Sequence, residues 1–389
     1  MSVIVTATAS VNIAVIKYWG KRDEELILPL NDSISATLDT NVMCARTSVC
    51  ARPDIEENEM YLNGIKTSFD NKRLQTCLNK IKAIATLQKV VDKEFLSWNV
   101  RICSENNFPT AAGLASSAAG YACLVTALAK LYKIESDISQ LARLGSGSAC
   151  RSVFGGFVRW HAGGKCDGSD STASQIVQST HWPEMRVLVL VVADKKKHTS
   201  SSIGMKRSVE SSELLKYRVE HCVPRRVDEM INAIKGKDFQ RFAELTMKDS
   251  NQFHAVCLDS YPPFHYLTNV SYKIIDVIHK YNEICKETKV AYTFDAGPNA
   301  CLFLLEKDVP EVLSLIKYIF PSSNTDYVRG LDVPKAEEEN TFETFPIQPM
   351  EENKLQYLIY TKVGDGPEIH YDGPHLLNEL GQPLNVSKT

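Results

Sequence analysis

Residues 106–120, NNFPTAAGLASSAAG, carry the strongest chemical signal in the chain. They lead into a helical run at 121–132, and the first N–H groups of a helix have no partner within it, so they can face an anion held by the loop. Pro109 sets the direction of approach, Gly113 permits a tight turn, and the small residues around them let the backbone come close to a ligand. Ser116 and Ser117 add hydroxyls where a polyphosphate or its magnesium ion would sit. Tight helix packing is the competing reading of the alanines and suffices from Ala118 onward. Two adjacent serines at a helix start are poor core but good ligands, which favours a phosphate loop over residues 109–117.

Three other groups could act on an anionic ligand. Lys17-Tyr18-Trp19-Gly20-Lys21 sets two cations and two aromatics around a glycine beside a strand, an expensive arrangement unless an anion meets it, although the lysines alone read equally well as a solvated edge. Residues 145–152, GSGSACRS, form a second small-residue loop with Arg151 at its exit, a planar fork for a carboxylate or phosphate. Two such loops suggest a substrate with two anionic ends. Asp295 closes an apolar strand at a turn that explains Gly297 and Pro298 but not a carboxylate. The run at 194–202 reads as a solvated loop in its lysines, with a hydroxyl cluster able to bind phosphate.

The elements that must hold these groups follow from periodicity. Alternation and β-branched content predict strands at 3–8, 33–38, 42–50, 100–104, 155–160, 185–193, 290–294, 300–305 and 357–363, and Asn63-Gly64 predicts a hairpin. Helical spacing predicts 73–87, 121–132, 137–144, 208–223 broken at Pro224, then 225–235, 238–251, 266–286 and 309–320. A Gly/Ser-rich stretch at 163–174 places a domain boundary near residue 185. Residues 335–353 read as an acidic insertion, and a polar tail follows the last strand.

At 389 residues and 44% hydrophobic, the chain can bury two cores, and a net charge of -3 points to neither nucleic acid nor an anionic membrane as partner. Eleven cysteines without a C-x-x-C pair read as buried thiols in a reducing compartment rather than a zinc site. The sequence shows neither a signal-peptide pattern nor an apolar run long enough to span a bilayer, and we expect a soluble, cytoplasmic protein. There is no G-x-x-x-x-G-K-[ST], G-x-G-x-x-G or G-x-S-x-G, so P-loop, dinucleotide-binding and serine-hydrolase readings lack support.

The loop PTAAGLASSA at 109–118 resembles the P-x-x-x-G-L-G-S-S-A loop of the galactokinase, homoserine kinase, mevalonate kinase and phosphomevalonate kinase (GHMP) superfamily, with Ala115 in place of the middle glycine. Together with NIAVIKYWGK at 12–21, GSGSACR at 145–151 and FDAGPNA at 294–300, it is similar to the mevalonate diphosphate decarboxylase family over nearly the whole chain. The resemblance implies a two-domain α+β GHMP kinase fold, with a ribosomal protein S5-like domain at 1–185, a ferredoxin-like domain at 186–389, an active site in the cleft between them, and a homodimer. It implies ATP-dependent decarboxylation of (R)-5-diphosphomevalonate to isopentenyl diphosphate, with ADP, phosphate and carbon dioxide released, in isoprenoid and sterol biosynthesis.

In that light Asp295 orients or deprotonates the 3-hydroxyl, Lys17 helps neutralise the transferring phosphoryl group, and Arg151 binds the substrate carboxylate. Tyr18, Trp19, Gly20, Lys21, Arg73, Ser146, Gly147, Ser148, Ala149, Cys150 and Ser202 match positions that hold the substrate, Ser202 standing where the family often has threonine. Asn106, Pro109, Ala112, Gly113, Leu114, Ala115, Ser116 and Ser117 match the ATP contacts, Ser117 being the candidate magnesium ligand. No dedicated carboxylate ligand for the metal stands out. A plain kinase of the same superfamily is the first alternative, opposed by Arg151 and Trp19. A non-catalytic binding protein is the second, opposed by the presence of both Asp295 and Lys17.

Overall fold

The computed structural model describes residues 3–108, 116–192, 199–334 and 342–386. Residues 109–115, with five of the expected nucleotide contacts, and residues 194–198 of the lysine run lie outside them. The first sheet orders the strands Glu368–His370, Val3–Ser10, Cys44–Arg52, Asn99–Asn106, Glu59–Leu62 and Ile65–Thr67, the last two joined by the expected Asn63-Gly64 turn. Both turn residues have positive φ, 49° and 79°, as a tight two-residue hairpin requires. The helix Ser116–Leu131 lies across Val3–Ser10 and Cys44–Arg52, and its Ala118, Ala119 and Ala122 are small enough to let backbone meet sheet.

A second sheet runs Ala173–Val177, Phe157–Trp160, Ser33–Thr37, Asn12–Ile16, and a third runs Val290–Phe294, Ala300–Leu305, Met185–Val191, Tyr357–Lys362, Val328–Gly330. Met185–Val191 is central and apolar on both faces; each fully buried Val or Leu there contributes roughly 1.5–3 kcal/mol. Asn12–Ile16 and Val290–Phe294 are edge strands of their sheets, and the helix Phe239–Asp259 packs against both. That helix therefore joins the two sheets whose ends carry Lys17 and Asp295.

Three expectations are corrected. The helix expected from 208 begins at Ser201, capped by Ser200, and breaks at Ser212 rather than at Pro224. Pro224 is tolerated because it opens the first turn of Val223–Gly236, directly after a π-helical turn, Arg218–Cys222. The tail is not merely polar surface: Glu368–His370 adds an edge strand to Val3–Ser10, fastened by His370 to Thr8 and His375 to Thr6 at 2.9 and 2.7 Å. Of the expected acidic insertion at 335–353, residues 335–341 lie outside the described residues; residues 342–353 hold no helix or strand, yet Phe345 is buried and Phe342, Ile347 and Met350 pack on the core, so this part covers apolar surface. All eleven cysteines are free, Cys166 exposed, Cys44, Cys222 and Cys285 half-buried, and the others buried. No helix among the described residues is long and apolar enough to cross a membrane.

Candidate active site

A cavity of about 570 Å³ is lined by the strand Asn12–Ile16, by the turn that follows Val290–Phe294 and by loops and helices from across the chain. Its centre is an ion pair 278 residues apart in sequence, Lys17 Nζ to Asp295 Oδ1 at 2.6 Å. The Lys17 side chain is 3% exposed and the Asp295 side chain 31%, so the carboxylate presents an oxygen to the cavity while the ammonium lies beneath it. His254 lies beside them with Nε2 unpartnered; burial, and then Lys17, push its pKa down to about 3, so a neutral imidazole faces the pair.

Arg151 enters from the short helix Ala149–Ser152 and is 2% exposed. Its Nε donates to Asn12 Oδ1 at 3.1 Å and Ser35 Oγ at 2.8 Å, and its Nη1 is buried without a partner. Among the described residues no carboxylate pairs with it. A buried guanidinium held by two neutral oxygens is unfavourable unless an anion completes it, and Arg151 is among the residues that line the cavity. Tyr18 stacks at 4.6 Å on Trp160 with its hydroxyl buried and unpartnered, and burial, then Glu24, raise its pKa, so it stays a neutral donor. Gly147 passes so close that a Cβ there would lie 2.9 Å from Trp160 and 3.1 Å from Tyr18.

Of the residues expected at the site, Lys17, Tyr18, Trp19, Lys21, Arg73, Ser117, Ser146, Gly147, Ser148, Arg151, Ser202 and Asp295 line this cavity. Lys21 is paired to Glu24, and no carboxylate among the described residues pairs with Arg73. Trp19 spends its Nε1–H on Ser208 and packs on Phe253, making it an apolar wall. Ser117 and Ser146 hydroxyls approach to 3.3 Å, joining the two small-residue loops. Gly20, Ala149, Cys150, Asn106 and Ser116 are not on the lining. Gly20 turns the chain at φ 90°, with a would-be Cβ 2.7 Å from Leu30, and burial lifts the Cys150 thiol to about 12. Asn106 ends its strand with a buried, unpartnered side-chain oxygen.

The sequence reading missed Asn12 and Ser35, which aim Arg151, and Phe253 of the lining, whereas the hydroxyl cluster it singled out within 194–202 supplies Ser200, Ser201 and Ser202 to the wall. It also missed the ion pair Arg218–Asp249 beneath Lys17, both side chains 0% exposed, with Arg226 as a second partner of Asp249 at 2.9 Å. Burial opposes the Asp249 charge, but Arg218 and the Lys17 N–H outweigh it and hold its carboxyl below the usual carboxylate range. A signal existed: Phe242, Leu245, Thr246, Asp249, Ser250 and Phe253 are all buried at three- and four-residue spacing, so a charge and a hydroxyl interrupt an apolar stripe.

Fold and cavity define an α+β enzyme of the GHMP kinase type. Residues 9–173 match the diphosphomevalonate decarboxylase-like N-terminal domain and residues 187–370 the mevalonate 5-diphosphate decarboxylase C-terminal domain. The diphosphomevalonate decarboxylase of Danio rerio is 49% identical over 98% of this chain and 96% of its own. An X-ray structure of mevalonate 5-diphosphate decarboxylase, 43% identical, superposes with TM-score 0.86 over 98% of this chain and 100% of that one. A complex of MDDEF with MVAPP, AMPPCP and magnesium, 30% identical, superposes with TM-score 0.75 over 95% and 99%. The chain belongs to the diphosphomevalonate decarboxylase family.

Proposed function

We propose that the chain catalyses ATP-dependent decarboxylation of (R)-5-diphosphomevalonate to isopentenyl diphosphate, with release of ADP, phosphate and carbon dioxide. The single observation that carries it is the pairing, on one wall, of a buried Arg151 without a carboxylate partner and a Lys17–Asp295 pair at 2.6 Å. One fits a carboxylate; the other fits a hydroxyl that is to be phosphorylated. Arg151 fixes the substrate carboxylate, Asp295 orients the 3-hydroxyl and takes its proton, and Lys17 neutralises charge on the transferring phosphoryl group. Tyr18, Lys21, Arg73, Ser146, Ser148 and Ser202 hold the diphosphate end. Phosphorylation makes a tertiary oxygen a good leaving group; its departure leaves cationic character at C3, and the electrons of the breaking C–C bond form the double bond as carbon dioxide leaves.

The small-residue loop ahead of Ser116, with Ser117, is the place for ATP phosphates. Magnesium, when bound, screens their charge. Among the described residues no group of three His, Cys, Asp or Glu is assembled to hold a metal, so phosphate oxygens and Ser117 carry the coordination in this reading. A homodimer working in the cytoplasm toward isoprenoids and sterols belongs to the same proposal, supported by kinship with the family. Incubation with ATP and (R)-5-diphosphomevalonate should yield ADP, phosphate and carbon dioxide in equal amounts. ADP without carbon dioxide would make the protein a kinase, and no ADP would make it a binding protein.

A further inference from the structure

Lys17 lies one residue beyond the edge strand Asn12–Ile16, and Asp295 one residue beyond the edge strand Val290–Phe294. The helix Phe239–Asp259 touches both strands, and two consecutive residues on it make the decisive contacts. Asp249 accepts the backbone N–H of Lys17 at 2.7 Å, and Ser250 accepts the backbone N–H of Phe294, next to Asp295, at 3.0 Å. Arg218 completes the arrangement. Its Nη1 and Nη2 donate to the two Asp249 oxygens, each at 2.8 Å, and Nη2 also donates to the Lys17 carbonyl at 3.2 Å.

One buried ion pair thus grips both backbone groups of Lys17, while the neighbouring hydroxyl grips the residue before Asp295. An apolar pair would fill this stripe at less desolvation cost, so packing alone does not explain a charge there. Arg218 also opens the π-helical turn Arg218–Cys222, a local departure from regular helix that recurs at functional sites. We propose that Asp249 and Ser250, backed by Arg218, are positioning residues that set the separation of Lys17 and Asp295 from adjacent rungs of a single helix. The inference rests on the reading of Lys17 and Asp295 as the reacting pair.

Ser250→Ala tests it with the smallest volume change. Because misplacement by about 1 Å can cost about a hundredfold in rate, kcat should fall at least about thirtyfold, with the Kd for (R)-5-diphosphomevalonate, measured calorimetrically without nucleotide, within about threefold of the parent. Ser250→Thr, which restores the hydroxyl, should recover most of the lost turnover. A kcat near that of the parent, a proportional loss of binding and turnover, or equal impairment of the Ala and Thr variants would each overturn the proposal. Should Ser250→Ala not fold, Arg218→Lys serves: it keeps a cation beside Asp249 but breaks the grip in which Nη2 bridges Asp249 and the Lys17 carbonyl, leaving that carbonyl to Asn31 Nδ2 at 3.0 Å. Lowered kcat with retained binding supports the clamp, and unchanged kcat overturns it. Asp295→Asn measured alongside separates the two readings. If it turns over like the parent, the assignment of the reacting pair fails; if it is inactive while Ser250→Ala is not impaired, only the clamp fails.

Discussion

Asp295→Asn is expected to lower turnover by about a thousandfold or more while changing substrate affinity far less. Asparagine keeps the size of the side chain, so the cavity wall survives, but it offers Lys17 a neutral oxygen in place of the carboxylate now accepting from Nζ at 2.6 Å. The proton of a bound hydroxyl then loses the carboxylate that would take it, and the Lys17 charge is left without its partner. General base catalysis is worth about a hundred- to ten-thousandfold, and the loss should fall in the upper part of that span because no second carboxylate among the described residues lines the cavity. Steady-state kinetics paired with calorimetry checks this. Turnover within about tenfold of the parent would remove Asp295 from the reaction.

Arg151→Gln should separate bond breaking from phosphoryl transfer. The guanidinium is aimed by Asn12 and Ser35 through Nε, which leaves Nη1 without a protein partner. Glutamine cannot form the bidentate fork, so a carboxylate held there gains freedom and the C–C bond loses its alignment for fragmentation. In the proposed reading phosphorylation at C3 rests on Asp295 and Lys17 and should suffer less. Carbon dioxide release is therefore expected to drop strongly, with ADP formed in excess of carbon dioxide as phosphorylated intermediate escapes. Single-turnover quantification of both products reads the ratio. Equal and barely reduced yields would show that Arg151 does not hold the carboxylate, and equal, severe losses would place it in binding or phosphorylation instead.

Much of the site was legible because its groups fall in short local motifs. Lys17 to Lys21 and Ser146 to Arg151 sit within loops whose glycines are required by contact, as Gly147 is by Trp160 and Tyr18. The class of elements was legible too, since Met185–Val191 and Val290–Phe294 announce buried strands by composition. What no spacing could supply is the meeting of Lys17 with Asp295, which depends on two edge strands docking on one helix. The Arg218–Asp249 pair was missed for the same reason: its interruption of an apolar stripe is visible in sequence, but its target is a backbone group far along the chain. Glu368–His370 is three residues long and mixed in polarity, too short for alternation to declare a strand. Pro224 misled because a proline ends most helices, whereas here it falls in the first turn after a π-helical segment.

A crystal structure of the protein with (R)-5-diphosphomevalonate tests the central claim most directly. The substrate carboxylate should lie within hydrogen-bond distance of the Arg151 guanidinium, the 3-hydroxyl beside the free oxygen of Asp295, and the diphosphate toward Tyr18, Lys21 and Ser146. A substrate bound in the opposite sense, with its diphosphate on Arg151 and its hydroxyl away from Asp295, would contradict it.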